Sequence, residues 1–199
     1  MDSTLSSLLK KGFVYISDDQ IESAIQTFKE ALVIDPGNDL AWGALYESYK
    51  SMNNIPEAFH VLEQIYALKP TNFQVLLNLA LFYKTVQKDQ KKEDYYLGLL
   101  EKNHPNDART YMYIGQCNIT RDHDKAMTYL QRAIEVDETF IPAYISLAGQ
   151  YEEAGDYQKA YAILEQGYEK GVPGVGRSSK YALKDFMDEL KKEMKEALL

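Results

Sequence analysis

The chain has 199 residues, 45% hydrophobic and 26% charged, with a formal net charge of −8. That balance suits one compact domain or one repeat array with a buried core, and it excludes wholesale disorder. A pI near 5.0 and 18 Lys against 4 Arg argue against a general nucleic-acid binder, which needs clustered cationic donors; the single cysteine, Cys117, excludes an internal disulfide and a thiolate zinc cluster.

The start, Met1-Asp2-Ser3-Thr4-Leu5, shows no basic region followed by an apolar run, and Asp2 is incompatible with N-myristoylation. No stretch approaches the roughly 18 apolar residues of a spanning helix. The expectation is a soluble, cytoplasmic protein. Along the chain, Pro36 and Pro70 stand 34 residues apart, and Pro105 follows after 35. Each closes a similar phrase: Ile34-Asp35-Pro36-Gly37-Asn38, Leu68-Lys69-Pro70-Thr71-Asn72 and Asn103-His104-Pro105-Asn106-Asp107. An apolar helix end, a helix-stopping proline and a polar turn recur together.

With these stops as register marks the chain divides into 5–38, 39–72, 73–107, 108–140 and 141–174, of 34, 34, 35, 33 and 34 residues. Each unit reads as two helices. The first is amphipathic, as in Leu40, Trp42, Leu45, Tyr46 and Tyr49; the second repeats the 3.6-residue period, as in Ile21, Ala24, Ile25, Phe28, Ala31 and Leu32. Between them lie short polar turns, Ser17-Asp18-Asp19, Asn53-Asn54, Arg121-Asp122 and Gly155-Asp156, whose Asp and Asn can cap the second helix. Pro56 fits the first turn of its helix.

The phrase resembles the tetratricopeptide repeat. The second unit carries it in Trp42, Leu45, Tyr46, Tyr49, Ala58, Leu62, Ile65 and Pro70, the first in Leu8, Gly12, Tyr15, Ala24, Phe28, Ala31 and Pro36. The fifth supplies Tyr144, Leu147, Ala148, Tyr151, Ala160, Leu164 and Gly167, and the fourth Tyr111, Ile114, Gly115, Ala126, Leu130 and Ala133. The third is weakest in its second helix, with Leu76, Leu79, Ala80, Tyr83, Leu97, Leu100 and Pro105. The resemblance implies an all-α fold, an α-solenoid in which five helix-turn-helix repeats form a right-handed superhelix over residues 1–174. Two units depart from the pattern. The third has one extra residue around Gln87–Lys92, and Glu93 falls where a small residue is needed; the fourth has Asn118 for tyrosine and Glu138 for proline. Glu93 reads either as a bend between units three and four or as a tolerated carboxylate pointing outward.

Residues 175–199 follow the breaker Val172-Pro173-Gly174-Val175-Gly176 and read as a linker and a C-terminal capping helix, started by Ser178 or Ser179 and running to about Ala197. Leu183, Phe186, Met187, Leu190, Met194 and Leu198 share one face. That face either covers the last repeat or swaps onto another molecule.

The resemblance also implies a concave wall lined by the first helix of each pair. Its groove-facing positions are Ser6, Leu9, Phe13 and Ile16; Leu40, Gly43, Glu47 and Lys50; Gln74, Leu77, Leu81 and Lys84; Arg109, Met112, Gln116 and Ile119; Pro142, Ile145, Gly149 and Glu152. Leu9, Phe13, Leu77, Leu81, Met112 and Ile119 are expected to form an exposed apolar patch suited to an amphipathic helix or an extended apolar segment; the alternative is that some pack on the preceding unit. Relatives that hold acidic chaperone tails place Lys and Asn where Leu9 and Phe13 stand, and Asn78 with Arg109 makes no two-carboxylate clamp, so such a co-chaperone is not expected.

No Gly-rich phosphate loop, nucleophile elbow or metal-ligand pair occurs, and His60, His104 and His123 lie in different units or turns. The cluster Lys84, Lys88, Lys91 and Lys92 reads as a solvated helix tip, and Cys117 as a buried small side chain. The expectation is a non-catalytic interaction module without cofactor or metal. Its partner would be a peptide or helix of another protein, with no nucleic acid and no membrane insertion. Alternatives are an assembly factor shielding an apolar client segment and a self-assembling scaffold.

Overall fold

The computed structural model describes residues 3–171 and 180–196, and every regular element among them is helical. Two compact units, Met1–Tyr96 and Leu97–Leu199, divide the chain inside one helix. The first unit holds α1 (Ser3–Ser17), α2 (Ile21–Ile34), α3 (Asp39–Ser51), α4 (Ile55–Leu68), α5 (Phe73–Phe82) and the start of α6 (Gln90–Asn103). The second holds the rest of α6, then α7 (Ala108–Asn118), α8 (His123–Val136), α9 (Ile141–Glu153), α10 (Tyr157–Lys170) and α11 (Lys180–Glu196). In the first unit α1 to α5 pack each on the next, and α1 also touches α3. In the second α7 to α11 do the same, and α7 touches α9. Each unit is therefore a stack of helical hairpins. Among the described residues no helix is long and apolar enough to cross a membrane.

The turns explain why the chain breaks where it does. Asn38, Asn72 and Asp107 open α3, α5 and α7, accepting the N–H groups of Ala41, Val75 and Arg109 at 3.1, 3.1 and 3.0 Å. Before the second helices, Asn54, Asp89, Asp122 and Asp156 accept from Glu57, Lys92, Lys125 and Lys159 at 3.4, 3.2, 3.0 and 3.1 Å. Each such cap contributes about 1 kcal/mol. The first hairpin departs from the expected Asp cap: Gln20 stands before α2 without a side-chain bond, because Asp19 is used one residue earlier.

Asp19 adopts the left-handed backbone, φ 57°, and so do Asn53, Lys88 and Gly155 at 55°, 53° and 77°. After each of them the next N–H donates back to a tyrosine carbonyl, Gln20 to Tyr15, Asn54 to Tyr49, Asp89 to Tyr83 and Asp156 to Tyr151, at 2.8–2.9 Å. This closure satisfies carbonyls left over at the helix end. The 108–140 segment lacks it. There Asn118 replaces the tyrosine, and Arg121 and Asp122 both donate to its carbonyl at 3.0 and 2.9 Å. The buried Asn118 amide compensates by donating to the Ile114 carbonyl at 2.7 Å and accepting from Arg121 Nε at 2.9 Å.

A second device repeats on the first helices. Trp42 Nε1 donates to the Pro36 carbonyl at 2.8 Å, and the Tyr111 and Tyr144 hydroxyls donate to Pro105 and Glu138 at 3.1 and 3.0 Å, always six residues back. A large ring fills the seam while its polar tip pins the preceding turn, for about 0.5–1.5 kcal/mol each. Where helices cross most closely, glycine is required. A Cβ at Gly12 would lie 2.6 Å from Phe28, at Gly115 2.9 Å from Leu130, and at Gly167 2.6 Å from Tyr144.

Two sequence expectations need correction here. The extra residue of the third segment, expected around Gln87–Lys92, is absorbed at the near edge of that range, as a π-helical turn over Tyr83–Gln87. A wider turn keeps the tyrosine-carbonyl closure, with Asp89 N–H reaching Tyr83, at the cost of one lost α-helical step. Glu93, moreover, does not point outward, being 4% exposed. Farther along the chain α11 lies against α10 and touches α9, as α9 does with α8 and α7. Leu183, Met187 and Leu190 enter the core of the second unit. Phe186, expected on the same face, is 42% exposed, because the buried stripe follows i, i+4 and i+7 only. Ser178, Ser179, the linker 172–176, Leu198 and the side chain of Met194 lie outside the described residues.

Candidate interaction surface

The first helices of the hairpins, with the turns that end them, carry the expected groove positions. In the first unit, Phe13 on α1 is 44% exposed and meets Phe28 edge-on, ring centres 5.2 Å apart. Leu9 and Ile16 are half-buried and pack against the core of that unit. On α3, Leu40 is 60% exposed, and around Gly43 an added Cβ would meet nothing within 4 Å. Glu47 and Lys50 pair at 3.1 Å, with the Lys50 ammonium 5.0 Å from the Tyr46 ring centre. On α5, Asn78 accepts from Gln74 at 2.9 Å and Leu81 is half-buried. Lys84 is half-buried in the π turn.

In the second unit Arg109 is held by Asp107, its Nε donating to both carboxylate oxygens at 3.0 and 3.1 Å. The guanidinium beside it holds the Asp107 carboxyl below the usual range. Gln116 donates to Ser146 at 3.1 Å, tying α7 to α9. Ile119 is half-buried at the end of α7, and Ile145 is half-buried against the core. Near the end of α9, burial and the carboxylates of Glu193, Glu189 and Glu153 raise the pKa of Glu152.

Leu77 and Met112 are not part of an exposed patch. They are 2% and 7% exposed, and Met112 belongs to the core of the second unit. Position in the repeat fixes which way a side chain leaves its helix, but not what covers it there. Of the apolar positions expected to be open, Phe13 alone is clearly so, and Leu40 joins it.

The structure also sets residues that the sequence singled out beside others that it did not, among them Phe59, Phe82, Val86, Met127, Tyr129 and Arg132. Lys50, Asn78 and Leu81 meet Tyr46, Phe59, Phe82 and Val86 in a cleft of about 240 Å³. On the second helices, a cleft of about 550 Å³ is floored by Trp42, Leu45 and Tyr49 between α2 and α4. In the second unit, Tyr111, Met127, Tyr129, Arg132 and Tyr151 border another of about 720 Å³. Period and composition place these residues on helices without saying which gaps between helices stay unfilled.

Stacked antiparallel helix pairs with a recurring 34-residue turn define a helical-repeat scaffold, a fold that serves protein–protein interaction. The chain carries tetratricopeptide-type repeats: the tetratricopeptide-repeat family model matches residues 5–38 and 117–140. The peroxisomal targeting signal receptor of Saccharomyces cerevisiae is 25% identical over 95 residues, which are 48% of this chain and 16% of the receptor. The chain thus spans a small part of that relative's length. Among solved structures, the MamA protein superposes with a TM-score of 0.62 at 21% identity, covering 88% of this chain and all of that one. Pseudomonas aeruginosa pilF gives 0.64 at 18% identity, covering 98% and 92%. These likenesses establish the fold.

Proposed function

We propose that the protein is a non-catalytic, cytoplasmic interaction module that holds a segment of another protein on the exposed face of its first helices. We further propose that its repeats are 5–38, 39–72, 73–107, 108–140 and 141–174, with 175–199 as linker and cap. The observation that carries the binding reading is the face of α3. A glycine inside a helix costs about 0.5–1 kcal/mol relative to alanine. Gly12, Gly115 and Gly167 are explained by close helix contacts; Gly43, like Gly98 and Gly149, meets nothing within 4 Å, and it stands beside the exposed Leu40. A bare backbone next to an apolar side chain lets a partner approach closely. Leu9, Phe13, Ile16, Glu47, Lys50, Asn78, Leu81 and Lys84 are its proposed surroundings in the first unit; Arg109, Gln116, Ile119 and Ile145 are proposed as a separate binding face of the second unit. Leu77 and Met112 act beneath that surface as packing.

The test is affinity capture from native extract with the parent chain, Leu40→Glu and Gly43→Arg. Both substitutions sit at open positions, so circular dichroism should show the fold intact. Loss of the same captured protein in both supports the reading; an unchanged partner set refutes it. Self-assembly is the second reading, favoured by Val14 and Phe13 standing 55% and 44% exposed side by side on α1. Light scattering over a concentration series decides it.

A further inference from the structure

We propose that Tyr66 and Tyr95 form an oxidative modification site, at which a one-electron oxidant of the haem-peroxidase class joins the two rings as a dityrosine and ties α4 to α6. The site lies in a cluster of four tyrosines in the first unit. Tyr66 stands near the end of α4, Tyr83 opens the π turn, and Tyr95 and Tyr96 follow in α6. The Tyr96 ring is the hub. Its centre lies 5.6 Å from Tyr66, 5.6 Å from Tyr83 and 5.2 Å from Tyr95. Distances of this kind are ordinary aromatic packing, so proximity alone does not select a reactive pair; access and proton release do.

Tyr95 is 57% exposed, open to an oxidant, and Tyr66 is half-buried beside it. Their hydroxyls share a hydrogen bond that brings the phenol edges of two helices together. Such fixed placement turns the meeting of two rings into an intramolecular event. Burial first, and then the Tyr95 hydroxyl, raise the Tyr66 hydroxyl above its ordinary value, yet the oxygen beside it belongs to an exposed side chain and carries the proton outward. The other two tyrosines are held back. Tyr83 is 7% exposed, and the Lys92 ammonium lies 4.7 Å from its ring centre; a cation there opposes withdrawal of an electron. Burial first, and then the neighbouring tyrosines and Glu63, push the Tyr96 hydroxyl up to about 12, so that it keeps its proton. Tyr95 and Tyr96 also follow each other on one helix, their ring planes 77° apart, and successive helical side chains do not face each other.

A haem peroxidase charged with hydrogen peroxide takes one electron from each phenol, and each hydroxyl loses its proton. The two phenoxyl radicals join through one carbon–carbon bond between ring positions next to the hydroxyls. Each of those carbons then passes its hydrogen to its own oxygen, restoring both hydroxyls. The chain has lost two hydrogen atoms, and hydrogen peroxide has become two waters. The new bond encloses α5 and the π turn in a covalent loop, which removes freedom from the unfolded chain as any cross-link does.

The test is a haem peroxidase with hydrogen peroxide, added to the dilute full chain and followed by intact mass, dityrosine fluorescence and proteolytic peptide mapping. A monomer lighter by two hydrogens is expected, with the peptides that carry Tyr66 and Tyr95 joined, and with a higher urea midpoint. Tyr95→Phe and Tyr66→Phe should each abolish the link, whereas Tyr96→Phe should keep it. All three substitutions preserve the ring, and circular dichroism checks the fold; Tyr95→Phe, at the exposed position, decides the matter if Tyr66→Phe disturbs it. A link through Tyr83 or Tyr96, dityrosine fluorescence that persists in Tyr95→Phe, cross-links between molecules only, or a chain left unoxidised each overturns the proposal.

Discussion

Replacing helix glycines one at a time by alanine should split them into two groups of opposite sign. At Gly43 and Gly98 an added methyl meets nothing within 4 Å, so the substitution returns only helix propensity and stabilises by about 0.5–1 kcal/mol. At Gly167 the same methyl would lie 2.6 Å from Tyr144 Cγ and 3.0 Å from its Cβ. These atoms are the root of the side chain, so they cannot swing aside. The ring is fully buried, and its hydroxyl is tethered to Glu138. Relief requires α9 and α10 to separate, an overpacking cost of about 1–3 kcal/mol. Less the propensity gain of up to about 1 kcal/mol, Gly167→Ala should destabilise by up to about 2 kcal/mol. Gly115→Ala belongs with it, because the Ala126 backbone carbonyl stands 3.1 Å from the added atom and has no rotamer to change. Urea denaturation followed by circular dichroism measures all four. If Gly43→Ala loses as much stability as Gly167→Ala, the helix register assigned here is wrong.

Met112→Ala should cost about 2–5 kcal/mol through a core cavity, whereas Phe13→Ser, at an exposed position, should cost much less; the two denaturation midpoints decide it. Tyr144→Phe removes the bond to the Glu138 carbonyl and should destabilise by about 1 kcal/mol, readable in the same assay. Asp107 has a folded pKa below its unfolded value of about 3.9 because Arg109 hydrogen-bonds it. Its contribution is therefore present above that value and fades as pH falls through the folded pKa. Arg109→Gln should move the Asp107 titration midpoint, followed by carboxyl carbon NMR, upward. Lys88→Gly should stabilise by about 1 kcal/mol in urea denaturation, since lysine holds φ 53° where the equivalent turn has Gly155.

The sequence by itself determined the hairpins. Prolines, Asn and Asp caps, and small and large residues at fixed intervals are local signals, and each acts within a few residues of where it stands. That is why the ends of α3, α4, α7 and α9 fall where the pattern puts them, and why Cys117 reads correctly as buried, at 3% exposure. The buried stripe of α11 was legible for the same reason, through the spacing of Leu183, Met187 and Leu190. The tertiary structure alone decided exposure. Leu9, Phe13, Leu77 and Met112 occupy equivalent kinds of position, yet Phe13 is open while Leu77 and Met112 are closed, because coverage is set by neighbours distant in sequence. It decided likewise where the one extra residue went. Many turns could have absorbed it, and the helix gave way at Tyr83–Gln87, where the tyrosine-carbonyl closure survives and a cleft opens beside it.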